Sequence, residues 1–169
     1  MYRMLVAPAL ALATFALPAA AEEFSSRYTI NGQYDLIVDG TPMTAWTTLD
    51  TERNRSSVER HKVMGKVFYN VNGSVPASDG DTDTLLSVQL WPDHVSDIQY
   101  LDGGMFGADI AGGSMTLDGP PQIEDDGTMK FSFHGTLVEF AIKDGDFAPV
   151  EGGRVIEISG SYDGRYPVD

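Results

Sequence analysis

The chain has 169 residues and no cysteine, and its 11 Lys and Arg stand against 25 Asp and Glu, a net charge of −14. Composition therefore excludes disulfides, thiolate nucleophiles and thiolate metal sites. An acidic protein of this kind repels phosphate backbones and anionic lipid, which argues against nucleic acid as a partner and for cations or a basic partner.

Residues 1–21 differ from all that follows. Arg3 is the only charge before "MLVAPALALATFALPAAA", an apolar run that ends in Ala19, Ala20 and Ala21. A basic start, a short apolar run and an Ala-x-Ala site make a secretory signal peptide, and Pro8 and Pro18 disfavour a persistent membrane-spanning helix. Cleavage is expected after Ala21, leaving residues 22–169 as one domain. No later segment is apolar for long enough to span a bilayer as a helix. Export of a cysteine-free domain points to a bacterial periplasm or the cell exterior. The charge is skewed as well: after Lys66, four basic residues face eighteen acidic ones.

Strands are predicted near 27 to 38, 43 to 48, 61 to 71, 84 to 91, 96 to 101, 114 to 118, 128 to 143 and 154 to 162, from apolar alternation between turn signals. Tyr28, Ile30, Tyr34 and Leu36 share one parity, as do Ile156, Ile158 and Tyr162. Asp39-Gly40, Asn72-Gly73, Asp102-Gly103, Asp118-Gly119, Asp126-Gly127, Asp144-Gly145 and Asp163-Gly164 are read as turn pairs that supply positive φ. Between Asp50 and Met64 the apolar residues are too sparse for a helical stripe, so that segment reads as a loop followed by a strand. "GGMFGADIAGG" reads as a flexible bend. Gly32, Gly65, Gly135 and Gly160 each interrupt an apolar row, as glycine does where a strand coils sharply or accepts close approach by a ring or another backbone. The expected fold is all-β, a single-domain antiparallel β-barrel or β-sandwich of about eight strands. An outer-membrane barrel would need an unbroken lipid-facing band, which Asp35, Lys66, Glu139 and Glu157 interrupt.

Chemistry is sparse in this sequence. It has no G-x-S-x-G elbow, no H-E-x-x-H, no phosphate loop and no dinucleotide fingerprint, so no catalytic residue is assigned. "SDGDTDTLLSVQL" places Asp79, Asp81 and Asp83 at the first, third and fifth positions of a calcium loop. Thr84 and Leu90 occupy the positions where such a loop needs Gly and Glu. These three aspartates are the candidate metal site, with calcium as the one possible cofactor; the plainer reading is a solvated loop between strands. His94, with Asp93 and Asp97, reads more readily as a polar turn than as a metal or acid-base site. His134 falls on the solvent side of its strand, and His61 belongs to a charged run. Arg53, Arg55, Arg60 and Lys62 could grip an anion, or pair with the protein's own acids.

Tyr28, Tyr34, Phe131, Phe133, Ile158 and Tyr162 are expected to line the inside of the sheet around a ligand. The leading expectation is an exported, non-enzymatic barrel or sandwich domain that binds a small lipophilic molecule. The alternative is a calcium-assisted module that recognises a glycan or another exported protein. A hydrolase of unknown class comes third.

Overall fold

A computed structural model describes residues 23–108 and 112–168, so the expected signal peptide lies outside the described residues. The strands are β1 (Tyr28–Val38), β2 (Thr41–Asp50), β3 (Arg55–Ser56), β4 (Val58–Val63), β5 (Lys66–Pro76), β6 (Thr82–Leu90) and β7 (Val95–Tyr100). They continue with β8 (Met105–Gly107), β9 (Ser114–Leu117), β10 (Gln122–Ile123), β11 (Thr128–Lys143), β12 (Asp146–Pro149) and β13 (Val155–Arg165). No helix occurs among the described residues, and none is therefore long and apolar enough to cross a membrane.

Eight strands close into an antiparallel barrel, a ring in the order β1, β2, β5, β6, β7, β8, β11, β13. The pairing of Trp46 with Ser74 joins β2 to β5 and completes the ring. The other strands lie outside it, β3 on β2, β4 on β5, and β9, β10 and β12 along β11. The architecture is thus the barrel of the two expected alternatives, and β11 spans the predicted 128 to 143.

Three local readings change. The predicted strand 61 to 71 is a hairpin, because Met64 and Gly65 both adopt positive φ, 48° and 82°, and form a two-residue turn between β4 and β5. Methionine is an unusual residue for that conformation, which hid the turn. Asp39-Gly40 and Asp144-Gly145 do make the expected turns, but Asn72-Gly73 and Asp163-Gly164 lie inside β5 and β13. The supposed bend "GGMFGADIAGG" contributes β8, which fills the ring between β7 and β11.

The glycines within strands make room for rings. A Cβ on Gly73 would come within 2.8 Å of the Tyr34 ring, and one on Gly160 within 3.0 Å of the Phe133 ring and 2.6 Å of Leu36. Gly32 and Gly164 face each other across β1 and β13, and the Tyr162 hydroxyl lies against both. Apolar rows point inward from every ring strand, and Tyr34, Phe133 and Leu137 are completely buried. The two deepest phenols are satisfied: Tyr34 donates to the Val71 carbonyl at 3.1 Å, and the Tyr162 hydroxyl lies 3.0 Å from Thr47 Oγ1. A buried hydroxyl without such a partner would cost about 1–3 kcal/mol.

Two outcomes test this packing. Gly164→Ala should lower stability by about 2 kcal/mol through overpacking. Gly119→Ala, where no atom lies within 4 Å, should leave stability unchanged or raise it by about 0.5 kcal/mol; urea melts of both variants decide. Burial also raises Tyr34 well above the ordinary phenol value and pushes Tyr162 up to about 12. Because the fold holds these phenols neutral, the stability they contribute is complete below about pH 10 and is lost as pH climbs towards the folded value. Phenolate absorbance should therefore rise in two stages, the later one coinciding with alkaline unfolding.

Candidate functional site

Five of the six residues expected to line a ligand site gather inside the barrel. Tyr34 contacts Tyr162 with ring centroids 4.7 Å apart, and Phe131 and Phe133 lie 6.0 and 6.4 Å from Tyr34. Ile158 joins the same cluster, and Phe131, its most open member, is only 6% exposed. Tyr28 stands apart. A β-bulge between Ile30 and Gly32 inserts an extra residue into β1, so the parity shared by Tyr28, Ile30 and Tyr34 changes face. Ile30 is accordingly 52% exposed while Tyr34 is buried.

Tyr28 instead meets the acidic loop. Its hydroxyl donates to Asp81 Oδ1, and Arg27 Nη2 donates to the same oxygen at 2.9 Å. The Tyr28 hydrogen bond, the Thr82 backbone N–H and the nearby Arg27 charge together hold the Asp81 carboxyl below the usual carboxylate range. Arg27 Nε also lies 3.6 Å from Asp50, which is 7% exposed. The guanidinium thus supplies the positive charge that a bound cation would otherwise bring to this end of the barrel. The three candidate ligands do not converge: Asp79 accepts the Asp81 backbone N–H at 2.9 Å, and Asp83 sits on β6 opposite Val75. Among the described residues, no group of three or more His, Asp or Glu is placed to hold a metal ion.

The histidines take three different places. His61, Phe68, Trp91 and His94 form a row of stacked rings across β4, β5 and the connection from β6 to β7, with centroid separations of 5.0, 5.1 and 5.8 Å. His94 Nδ1 is 2.7 Å from Asp93, whereas Asp97 accepts from Gln99 and does not join it. Arg53 of the basic run reaches Asp50 at 3.9 Å. Arg55 and Arg60 border an open depression of about 460 Å³.

His134 belongs to a larger feature on the opposite side of the barrel. Alternation with the buried Ile158, Phe131, Phe133 and Tyr34 places Ser159 and Ser161 of β13, Ser132 and His134 of β11, and Asp35 and Ile37 of β1 on the outer face. Antiparallel register sets them in two rows. One is Asp35, Ser161, Ser132; the other is Ile37, Ser159, His134, Thr116. Three adjoining openings of about 600, 510 and 460 Å³ lie over these rows. The first shares Ile37 and Ser159 with the second, and Asp35, Asp118, Ser132 and Ser161 with the third.

Together they make a trough along β13. Pro42, Met43 and Thr44 of β2 bound it on one side, and Asp118, Gly119 and Pro120 on the other. From Glu157 to Asp163 it runs about 20 Å at the usual rise per strand residue. Its one lysine, Lys130, is held by Asp163 at 2.6 Å, and His134 is held by Asp118 at 2.5 Å. The exposed lining therefore offers hydroxyls and carboxylates but no unengaged cation. The sequence signal for it is the polar half of the strand alternation, the serines at 132, 159 and 161, which form no motif along the chain. No family model matches this chain, and neither a curated protein nor a solved structure is significantly similar to it.

The Arg27 pairing generates a direct test. Arg27→Ala should lower the melting temperature more than Asp81→Asn does, because it removes a charged partner from both Asp81 and the buried Asp50. Millimolar calcium should leave the wild-type midpoint where it is, since a ligand specific to the folded state would raise it.

Proposed function

We propose that this protein is an exported binding domain that holds an extended, uncharged, hydroxyl-rich ligand, a glycan strand, in the trough along β13. The observation that carries this reading is the trough's lining, in which Ser132, Ser159, Ser161 and Asp35 stand in register beside Ile37 and Pro42. Sugars present that mixture in mirror image: hydroxyls that exchange hydrogen bonds with serine and carboxylate oxygens, and apolar C–H faces that rest on aliphatic side chains. Charge narrows the class further. Asp35, Asp118 and Glu157 would repel an anionic polymer, so a neutral chain is favoured. Export rests on the leader-like first twenty-one residues.

The inner cluster favours this outer site over a lipophilic ligand enclosed by the barrel. Such a ligand would have to displace the Tyr34 or Tyr162 ring, each buried and each hydrogen-bonded through its hydroxyl. A close-packed interior resists that change, and losing either bond would leave a buried polar group unmatched. The interior is accordingly assigned to stability and the outer face to recognition.

Calorimetric titration with neutral oligosaccharides tests the proposal. Asp35→Asn should weaken binding about tenfold, the effect of losing a single charge-assisted hydrogen bond. Ser161→Trp should abolish it by filling the trough, with an unchanged melting temperature. Binding that survives Ser161→Trp at full strength would overturn the assignment of the site.

A further inference from the structure

The trough also holds an arrangement that binding alone does not need. Asp118, His134 and Ser159 come from three separate segments, the end of the β9 region, β11 and β13. His134 Nδ1 lies 2.5 Å from Asp118 Oδ1 across sixteen residues of chain. The carboxylates beside the other two histidines are one or two residues away, Asp93 for His94 and Glu59 for His61. Asp118 is fixed beside β11 by its own backbone N–H, which donates to the Ser132 carbonyl at 3.0 Å. Register then sets Ser159 directly opposite His134 on the same outer face. Residues opposed in this way have Cβ atoms about 4.5–5.5 Å apart; the two side chains are not hydrogen-bonded in this structure, and a rotation of the exposed imidazole or of the hydroxyl is needed to join them. An imidazole that gives its Nδ1–H to a carboxylate presents Nε2 on the far side of the ring, the position a general base needs.

We propose that Ser159, His134 and Asp118 hydrolyse an acyl ester carried by the ligand in the trough, an inference that rests on the glycan reading for its substrate class. Ser159 Oγ attacks the acyl carbonyl carbon while His134 Nε2 accepts the hydroxyl proton. The sugar oxygen leaves and takes that proton from Nε2, and the acyl group remains on Ser159. Water, deprotonated by the same nitrogen, then attacks the serine ester and releases the carboxylic acid, which restores the serine hydroxyl. Asp118 touches no reacting atom and is a positioning residue: it fixes the tautomer and stabilises the imidazolium that forms.

The experiment has two arms. The first follows acetate release from an O-acetylated neutral oligosaccharide, alongside binding of its unacetylated form. The second treats the protein with a fluorophosphonate and maps the modified peptide by mass spectrometry, which needs no glycan. Acetate release should disappear in Ser159→Ala and in His134→Ala. Asp118→Asn should cut it by about 10²–10⁴-fold and move its pH profile, a change that a merely structural carboxylate would not produce. The fluorophosphonate should label Ser159, and should fail to do so in His134→Ala. No adduct on Ser159, or acetate release that persists in Ser159→Ala, overturns the triad. If the unacetylated oligosaccharide still binds in that case, the trough reading stands; if it does not, that reading fails separately.

Discussion

The hydroxyl of Tyr162 rests against Gly32 and Gly164, which face each other across β1 and β13, and it meets Thr47 of β2 at 3.0 Å. That contact ties three neighbouring ring strands to one buried polar group. Tyr34 repeats the device a few residues away, its ring lying over Gly73 of β5 and its hydroxyl on the Val71 carbonyl. An eight-strand barrel has an interior just wide enough for side chains to fill. Two tyrosines fit there only where the opposing strands give up their Cβ atoms and where each phenol finds an acceptor. The glycines therefore mark where rings cross the barrel, and the closing contact between β2 and β5 falls beside Gly73, at Ser74.

A filled interior leaves the outer face for the recognition proposed above. The same registers that stack Tyr34, Tyr162 and Phe131 inside place Asp35, Ser161 and Ser132 in a row outside, since alternate residues of a strand face opposite ways. Gly135 adds the far wall. Any Cβ there would collide with the Ser114 carbonyl, so its absence lets the β9 backbone approach β11 and carry Asp118 to the trough's edge. Fold and site thus share one cause, the distribution of glycine among strands rich in aromatic residues.

Much of this was legible in the sequence, for identifiable reasons. Alternation in "YTINGQYDL" and "IEISGSYDG" gave strands with one buried face, and Gly32, Gly135 and Gly160 signalled close approach by rings or backbone, as found. Gly65 did not, because a positive-φ methionine beside it made a turn where only strand alternation was visible. Tyr28 fell on the right parity but the wrong face, since parity cannot register a bulge at Asn31. Asp81 carried a motif-like spacing, yet its partner Arg27 lies fifty-four residues away in the chain, and only the fold brings them together. The outer rows were hidden for the same reason. Single serines on separate strands carry no motif until register aligns them.

The central claim is that the interior of this barrel belongs to the fold and its outer trough to the ligand. Amide chemical-shift mapping during titration with neutral oligosaccharides, and separately with a lipophilic probe, tests it most directly. The account predicts oligosaccharide-dependent shifts concentrated at Asp35, Ser132, Ser159 and Ser161, with the lipophilic probe leaving Tyr34, Phe131, Phe133 and Tyr162 undisturbed. Saturable shifts at those four aromatic residues on adding the lipophilic probe, with a silent outer face, would contradict it.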